Sequence, residues 1–395
     1  MTVALHIKEA LAGSSLIRQM FEKGAELKKI HGTDKVFDLS LGNPNLEPPA
    51  RFIKALVKAA ESTEPGTHSY MPNTGYEFTR KAVADFVAQQ QQVDISASDI
   101  TMTCGAAGGL NVTFKTLINP GDEVIVPSPY FVEYGFYAAN SNGKLVTVDT
   151  NPDFTLSLDA IEKAINTKTK IILINSPNNP TGQIYSKESL DQLGEILRKK
   201  SRELGHTLYL ISDEPYRRLV YDGVEVPSIF ASYEESIVIT SFSKDLSIPG
   251  ERIGYIAVSP MLSDKQEVLG GIALTNRTLG FVNAPALMQR ALPEAIEAKV
   301  NMEEYSRKRE LLCDGLASAG YEFIKPPGAF YLFPKCPGGD DTIFVEALQQ
   351  ENIIAVPGKA FNCPGFFRIA FCVEDKTIIH SLPGFKAAIN RSNKS

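Results

Sequence analysis

The chain has 395 residues, of which 43% are hydrophobic and 22% are charged, and it carries a formal net charge of -6. This composition is typical of a globular protein that can bury a large core. It excludes a disordered chain, a collagen and a small disulfide-stapled scaffold. The acidic balance offers no basic footprint for nucleic acid. No uncharged apolar run reaches the ~18 residues of a membrane span, so we expect neither nucleic acid nor a membrane as a partner.

The N-terminal residues and the cysteines indicate a cytoplasmic protein. Lys8 and Glu9 interrupt the region where a signal peptide requires an apolar stretch. The five cysteines are scattered and form no C-x-x-C pair, as expected of reduced thiols. The stretch up to about Asp38 has an amphipathic helical pattern, and we expect it to pack against a C-terminal unit.

Through the middle of the chain, short apolar runs rich in β-branched residues alternate with helical patterns. The runs are EVIVP (123–127), IILIN (171–175), LYLIS (208–212) and IVIT (237–240). Such runs are typical of strands that are buried on both faces of a parallel sheet. Ser186 and Glu188 mark the start of one intervening helix. The alternation predicts an α/β domain with a mainly parallel sheet between helices.

After about residue 280 the pattern changes. A long helical pattern over residues 291–316 is followed by three apolar runs, FYLFP, IIAVP and FRIAF. We interpret these runs as strands of a smaller α+β unit. We therefore predict a large domain over residues 45–280 and a small discontinuous domain formed by residues 1–44 and 281–395.

Several frequent catalytic motifs do not occur in the sequence. There is no G-x-x-x-x-G-K-[ST], no H-E-x-x-H and no G-x-S-x-G, which excludes the common P-loop ATPase, zincin and serine-hydrolase classes. The five histidines lie far apart without the spacing of metal ligands, so we expect no metal site.

The most informative residues follow the predicted strands, at the sheet edge where open α/β folds bind ligands. Lys244 comes just after the run 237–240, with Ser241 and Ser243 before it and Arg252 after it. A lone lysine in this position is most often a solvated loop residue. Here two hydroxyls and a guanidinium are suited to a phosphate monoester. They favour a desolvated lysine that acts as an amine nucleophile.

Four further segments each have two interpretations. Asp213 ends a buried strand and is either part of a structural salt bridge or cap, or the counter-charge of a protonated ring nitrogen, with Tyr216 as a donor to the same ring. Asn179 lies in a segment that is either an ordinary turn or, since it faces the same sheet edge as Asp213 and Lys244, part of the site. Phe131 is either a core residue or a ring-stacking residue. The glycine-rich segment 104–110 either packs tightly or offers N–H groups to an anion.

In order and spacing, these segments resemble the class I/II aminotransferases, the pyridoxal-phosphate enzymes of fold type I. The motifs that carry the resemblance are S-x-S-K…G-x-R-x-G-Y (241–255), N-N-P-T-G (178–182) and D-E-P-Y (213–216). The similarity extends from L-G-N-P (41–44) to F-R-I-A-F (367–371), which is nearly the whole chain. It implies transfer of an amino group from an L-amino acid to a 2-oxo acid, in ping-pong order.

The resemblance also implies a role for each matching residue. Lys244 would form a Schiff base with the cofactor and act as general base. Asp213 would pair with the ring nitrogen, and Phe131 would stack on the ring. Asn179 and Tyr216 would bind the phenolate oxygen. The phosphate ligands would be Gly105, Ala106, Ala107, Ser241, Ser243, Arg252 and, across the interface of a homodimer, Tyr70. The substrate ligands would be Arg368, Gly42 and Asn179.

The preferred amino acid and the exact reaction stay open. Ala107 stands where some aspartate-type relatives carry a lysine or another polar residue. Arg277 and Tyr331 are candidates for setting specificity, although a surface arginine and a packed tyrosine are the commoner outcomes. One alternative is a C–S lyase or decarboxylase on the same scaffold. Another is a non-catalytic effector-binding module. Such a module would carry an added DNA-binding domain, and we expect no room for that domain because the motifs begin near residue 41.

Overall fold

The computed structural model describes residues 2–4, 7–8 and 16–392, and part of the predicted N-terminal helical stretch lies outside these residues. The longer helices are α1 (Leu16–His31), α2 (Ala50–Ala60), α3 (Glu77–Gln91), α4 (Gly105–Leu117), α5 (Glu133–Asn140), α6 (Leu158–Ala164), α7 (Lys187–Leu204), α8 (Lys265–Thr278), α9 (Ala286–Ala295), α10 (Met302–Ala319), α11 (Asp341–Gln350) and α12 (Asp375–Ser392). Within the described residues, no helix combines the length and the apolarity that a membrane crossing requires.

The strands form one large sheet and two small ones. They are β1 (Phe37–Asp38), β2 (Ile100–Thr103), β3 (Glu123–Ser128), β4 (Lys144–Asp149), β5 (Thr169–Asn175), β6 (Tyr209–Asp213), β7 (Ser236–Ser241), β8 (Gly254–Val258), β9 (Tyr331–Leu332), β10 (Ile353–Ile354), β11 (Val356–Pro357) and β12 (Phe367–Ala370). The seven-stranded sheet has the order β2-β8-β7-β6-β5-β3-β4. Strands β3 to β7 are parallel, and β8 runs antiparallel to both of its neighbours. The four predicted strands are therefore confirmed as β3, β5, β6 and β7.

Helices cover both faces of this sheet. On β5, Ile172 and Ile174 belong to a core cluster that includes residues of α3, α7 and α9. Ile171 and Leu173 point to the opposite face, where the cluster includes residues of α4, α5 and α8. This alternation is the two-residue period of a strand that is buried on both sides. It confirms the predicted α/β architecture.

The predicted helix start at Ser186 is also confirmed. The Ser186 hydroxyl accepts a hydrogen bond from the main-chain N–H of Ser189 at 3.2 Å, which caps α7. Leu190, Leu193 and Leu197 form its buried face. The helix ends at Leu204, and Gly205 caps it in the left-handed conformation, with a φ of 72°.

The single helix expected over residues 291–316 is wrong, because the structure divides it between α9 and α10. Arg218 donates to three successive main-chain carbonyls, at residues 296–298, and so removes them from a continuous helix. Asn301 then begins α10 by accepting a hydrogen bond from the N–H of Glu303 at 3.0 Å.

Segments from both ends of the chain share a second core. Strand β1 pairs in parallel with β10, and β9, β11 and β12 form an antiparallel sheet. Leu39 lies in one hydrophobic cluster with Leu312, Ile369 and Phe385. Met20 of α1 packs against the same cluster, as expected for the N-terminal segment. The domain boundaries at residues 44 and 280 stay a prediction.

Candidate active site

A cavity of about 290 Å³ lies at the carboxyl ends of β5, β6 and β7. The last residue of each of these strands lines it, as expected for a ligand site on an open α/β sheet. The structure brings twelve of the residues predicted from the sequence to its walls. They are Gly42, Ala106, Ala107, Phe131, Asn179, Asp213, Tyr216, Ser241, Ser243, Lys244, Arg252 and Arg368.

Lys244 follows β7 and is held inside the cavity. Its Nζ donates a hydrogen bond to the main-chain carbonyl of Gly42 at 2.7 Å. Burial lowers the pKa of Lys244 to about 8, and the positive charges of Arg368 and Arg252 act in the same direction. Lys244 therefore has a much larger neutral fraction near pH 7 than an exposed lysine, as an amine nucleophile or base requires.

Asp213 ends β6, and its two carboxyl oxygens have different surroundings. Oδ2 accepts a hydrogen bond from the hydroxyl of Tyr134 at 2.6 Å. Oδ1 is buried and has no hydrogen-bond partner among the residues that the structure describes. Burial raises the pKa of Asp213 to about 7, although the hydrogen bond from Tyr134 lowers it. One acceptor of this carboxyl is thus left for a donor in the cavity.

The neighbouring acid, Glu214, is a structural residue. It pairs with Arg217 at 2.9 Å and accepts a hydrogen bond from Gln91 at 3.3 Å. Arg217 in turn donates to the carbonyls of Gln90 and Val226. The two adjacent carboxylates of D-E-P-Y therefore differ, because only Asp213 is without a cationic partner in the described chain.

Two tyrosines of the cavity wall contact each other near Arg368. The hydroxyls of Tyr216 and Tyr331 are 2.9 Å apart and hydrogen-bonded. The Tyr331 ring also contacts the guanidinium of Arg368, with 4.6 Å between the ring centroid and Cζ. A Cβ atom at residue 42 would lie 1.8 Å from the Tyr331 hydroxyl oxygen, so this close approach requires Gly42.

Arg368 projects from β12 and is fixed from several sides. Its Nη1 donates to Oδ1 of Asn179 at 2.9 Å, and its Nη2 donates to the carbonyl of Ser40 at 2.5 Å. The guanidinium also contacts the ring of Phe361, at 4.8 Å. Its Nε is buried, and no described residue accepts a hydrogen bond from it. The side chain is therefore oriented in advance and retains a free donor for an anion.

Donors for a second anion gather around the start of α4. Gly105 begins the helix with a φ of 72°, and Ala106 and Ala107 follow in its first turn. The Arg252 guanidinium lies so close that a Cβ on residue 105 would be 2.7 Å from its Nη2. Ser241 and Ser243 lie on the same wall with their hydroxyl oxygens 3.0 Å apart. A helix N-terminus, an arginine and two hydroxyls are the donor set that a phosphate prefers.

Three residues named from the sequence do not line the cavity. Gly105 is buried, and the guanidinium of Arg252 lies against it. Tyr70 is 90% exposed, in the segment between α2 and α3. Arg277 is exposed near the end of α8. Tyr331, the other specificity candidate, does line the cavity.

Three polar residues of the cavity wall were not identified from the sequence: Tyr134, Tyr137 and Asn175. Tyr134 lies on α5, in an aromatic-rich segment where a tyrosine is most often a core residue. Asn175 ends β5, where its Oδ1 accepts a hydrogen bond from the N–H of Asn179 at 2.7 Å. Its Nδ2 donates to the carbonyl of Asp213 at 2.8 Å. The only available signal was that Asn175, like Asp213, is a polar residue at the end of a buried strand.

This arrangement of a buried lysine, a buried aspartate, an anion pocket and a fixed arginine matches a known family. The family described as aminotransferase class I and II matches residues 34–382. The chain belongs to this family. It is 31% identical over 359 residues to a probable aspartate aminotransferase of Methanocaldococcus jannaschii, with 89% of this chain and 92% of the relative covered.

The chain is also similar to other aminotransferases, in sequence and in structure. The chain is 30% identical over 385 residues to aromatic-amino-acid aminotransferase 2 of Thermococcus litoralis, with 93% of this chain and 94% of the relative covered. The crystal structure of an aminotransferase from Eubacterium rectale is similar with a TM-score of 0.96 and 36% identity, over 100% of both chains. These similarities confirm the predicted family, the fold type I architecture and the identification as an enzyme, a transaminase.

Proposed function

We propose that the chain uses pyridoxal 5'-phosphate to transfer an amino group from an L-amino acid to a 2-oxo acid, in ping-pong order. The observation that carries the proposal is the buried carboxyl of Asp213, whose Oδ1 has no partner in the described chain. It lines the same cavity as Lys244 and Arg252. A protonated pyridine nitrogen is a donor of the kind that this carboxyl lacks, so the residues present fit the cofactor.

Each part of the cofactor has matching residues in the cavity. Lys244 would hold it covalently through Nζ, and Asp213 would accept a hydrogen bond from its ring nitrogen. Ser241, Ser243 and Arg252, with the N-terminus of α4, would bind its phosphate. When bound, the cofactor supplies an electron sink for the charge that develops at the substrate Cα atom.

The chain's own residues then bind the substrate and move its proton. Arg368 would bind the α-carboxylate, because it is already fixed by Asn179 and Ser40 and has an unused Nε donor. The substrate amine would first displace Nζ of Lys244 from its covalent bond. The freed Lys244 amine, with its pKa lowered to about 8, would then remove the proton from Cα as the general base. Tyr331 would help to orient the substrate, since it contacts Arg368 and hydrogen-bonds with Tyr216.

The described cavity wall offers few cations to a substrate side chain. In the described part of the chain, the cations that line the cavity are Lys244, Arg252 and Arg368, and each has a role above. A side-chain carboxylate would therefore need a cation from outside this wall. The relatives are named for aspartate in one case and for aromatic amino acids in another. A screen of amino acids is needed to decide between these classes.

We also propose that the active unit is a homodimer in which Tyr70 acts across the interface. In support, Tyr70 is 90% exposed and does not line the cavity of its own chain. A large aromatic side chain with this exposure is suited to contact with a second protein surface. Gel filtration of active enzyme should give a dimer, and a fully active monomer would contradict the proposal.

The cofactor proposal is tested by absorbance and chemical labelling. The purified protein reconstituted with pyridoxal 5'-phosphate should show a visible absorbance band that borohydride abolishes, and peptide mapping should place the label on Lys244. Lys244→Ala should lose both the label and turnover. Lys335→Ala, which removes an exposed lysine paired with Glu322, should retain both. A protein that cannot be reconstituted would refute the proposal.

The reaction is tested by following the same band with substrates. Amino donors should deplete the band stoichiometrically, and a 2-oxo acid should restore it, as a ping-pong order requires. Comparing all common amino acids in this half-reaction identifies the preferred donor. Release of pyruvate and ammonia without any dependence on a 2-oxo acid would instead support the C–S lyase alternative.

A further inference from the structure

Tyr134 is a buried tyrosine whose hydroxyl contacts Asp213 in the cavity wall. It lies on α5, is fully buried, and donates a hydrogen bond to Oδ2 of Asp213 at 2.6 Å. Neighbouring aromatic rings fix its orientation. Phe131 meets it edge to face with 5.6 Å between ring centroids, and Tyr130 and Tyr137 lie at 6.5 Å. The hydroxyl is thus held by a rigid aromatic cluster.

The main chain of Asp213 is held independently of Tyr134. Its carbonyl accepts a hydrogen bond from Nδ2 of Asn175 at 2.8 Å, and it pairs in register with Ile239 of β7. The remaining freedom of Asp213 is rotation of its carboxyl group. The hydrogen bond from Tyr134 removes this freedom, because it selects Oδ2 and leaves Oδ1 as the unused acceptor.

We propose that Tyr134 is a positioning residue that orients the Asp213 carboxylate so that Oδ1 accepts a hydrogen bond from the ring nitrogen of the cofactor. This inference rests on the proposed use of pyridoxal 5'-phosphate. Tyr134 itself does not touch the reacting atoms in this scheme. It acts through Asp213, by holding one oxygen and presenting the other.

The Tyr134 hydroxyl also affects the pKa of Asp213. Burial raises the pKa of Asp213, and the adjacent carboxylate of Glu214 raises it further. Tyr137 and Tyr216 are nearby and have raised pKa values themselves, so neither carries a charge at neutral pH. Among these groups, the Tyr134 hydroxyl favours the ionised form of Asp213. Removing it should therefore raise the pKa of Asp213, and a protonated carboxyl cannot neutralise the ring nitrogen.

The test combines Tyr134→Phe with a cofactor analogue in which carbon replaces the ring nitrogen. Apoprotein is titrated with pyridoxal 5'-phosphate and with its 1-deaza analogue, and dissociation constants are measured from pH 6 to pH 9. Tyr233→Phe is the matched control. It also removes a buried tyrosine hydroxyl, one that donates to the Leu208 carbonyl at 2.8 Å in a core cluster on the other face of the sheet.

We expect Tyr134→Phe to weaken binding of pyridoxal 5'-phosphate about tenfold at pH 8, since a charge-assisted hydrogen bond is lost. The acid-side decline in affinity should also begin at a higher pH than in wild type. Binding of the deaza analogue should be unchanged by the substitution, because this analogue makes no bond to Asp213. Tyr233→Phe should leave both dissociation constants and the pH profile as in wild type.

Two results would overturn the inference. Equal weakening of both ligands by Tyr134→Phe would show that the hydroxyl has only a structural role. Unchanged affinity and an unchanged pH profile would show that Asp213 does not depend on it. Failure of the wild-type apoprotein to bind pyridoxal 5'-phosphate is a separate outcome, which would refute the proposed function itself.

Discussion

At the residue scale, burial moves the pKa values of two groups of the candidate site toward neutrality. The pKa of Asp213 rises to about 7, and that of Lys244 falls to about 8. Both shifts have the same main cause, which is that a buried site disfavours the charged form. A protein selected for stability alone would avoid two such groups. Their presence in one cavity indicates that they are retained for their chemistry.

Asp213→Asn should therefore stabilise the protein in the absence of cofactor. The folded-state pKa of about 7 lies above the unfolded value of about 3.9, so ionised Asp213 destabilises the folded state increasingly as pH rises between these values. Asparagine keeps an acceptor for Tyr134 and carries no charge. We expect a gain on the order of 2–4 kcal/mol in unfolding free energy at pH 8, which shrinks toward pH 5.

Urea unfolding of the apoprotein at the two pH values measures this gain. Asp222→Asn is a control with the opposite expected sign. The Asp222 carboxylate accepts hydrogen bonds from Nη2 of the buried Arg309 at 2.8 and 2.9 Å, which lowers the pKa of Asp222. Removing its charge leaves a buried arginine without that partner, which should destabilise the protein. A gain for Asp213→Asn that does not change with pH would contradict the assignment to ionisation.

Lys244 should react as a neutral amine at a lower pH than an ordinary lysine. With a pKa of about 8, roughly a tenth of Lys244 is neutral at pH 7, compared with fewer than about one in a thousand for a free lysine. Competitive acetylation of the apoprotein, followed by peptide mapping, should give a midpoint for Lys244 near pH 8. The same residue in urea-unfolded chains is the control and should titrate above pH 10. Equal midpoints in both states would contradict the burial effect.

How far these residues were predictable depends on where they lie. Lys244, Asp213 and Arg252 each belong to a short motif just after or near a buried strand, where a polar residue needs a reason. Tyr134 gives no such signal, because a tyrosine on a helix that packs on a sheet is usually a core residue. Only the packing of α5 over the sheet brings its hydroxyl to a residue 79 positions away.

At the element scale, strands buried on both faces were the easiest to predict. The runs that became β3, β5, β6 and β7 are continuous and apolar, whereas β4 is largely half-buried or exposed and β2 contains two buried threonines. The antiparallel direction of β8 has no local signal, because it depends on the short 3₁₀ turn Pro249–Glu251 and on Arg252 in a left-handed conformation. The sequence therefore predicted strands β3, β5, β6 and β7 better than strands β2, β4 and β8.

The start of α4 offers a test of the anion pocket. Gly105 and Gly121 have φ values of 72° and 92°, so alanine at either position should lose about 1 kcal/mol of unfolding free energy through backbone strain. A new Cβ at residue 105 would also lie 2.7 Å from Nη2 of Arg252 and displace it. At residue 121, no described atom lies within 4 Å. Only Gly105→Ala should weaken cofactor binding, by on the order of tenfold.

Urea unfolding and cofactor titration of the two variants separate strain from displacement. Similar losses of stability, with a loss of cofactor affinity confined to Gly105→Ala, would support the anion pocket. Equal cofactor affinities in Gly105→Ala and Gly121→Ala would show that Arg252 does not bind the phosphate.

At the scale of the whole molecule, the site is assembled from distant parts of the chain. Arg368, from the last strand, donates to the carbonyl of Ser40 near the first strand and to Asn179 beside the large sheet. The parallel pairing of β1 with β10 brings the N-terminal segment into position for this contact. Short motifs identified each of the two partners Asn179 and Arg368, but their hydrogen bond depends on long-range packing that no local pattern encodes.

The proposed homodimer makes a quantitative prediction for mixed dimers. A dimer of one Lys244→Ala subunit and one Tyr70→Ala subunit has one site that lacks both residues. If Tyr70 acts across the interface, its other site has an intact lysine from one subunit and an intact tyrosine from its partner. Mixed dimers isolated with two different affinity tags should then have about half of the wild-type activity per dimer. The two parent homodimers should each be strongly impaired, because every site in them lacks one residue.

If Tyr70 instead serves the cavity of its own chain, the mixed dimer has no site with both residues. Its activity would then not exceed that of the Tyr70→Ala homodimer. Tyr70 is 90% exposed and does not line the cavity of its own chain, which favours the first outcome. Measuring activity against the fraction of mixed dimer, with cofactor saturating, distinguishes the two arrangements without any change in the fold of either subunit.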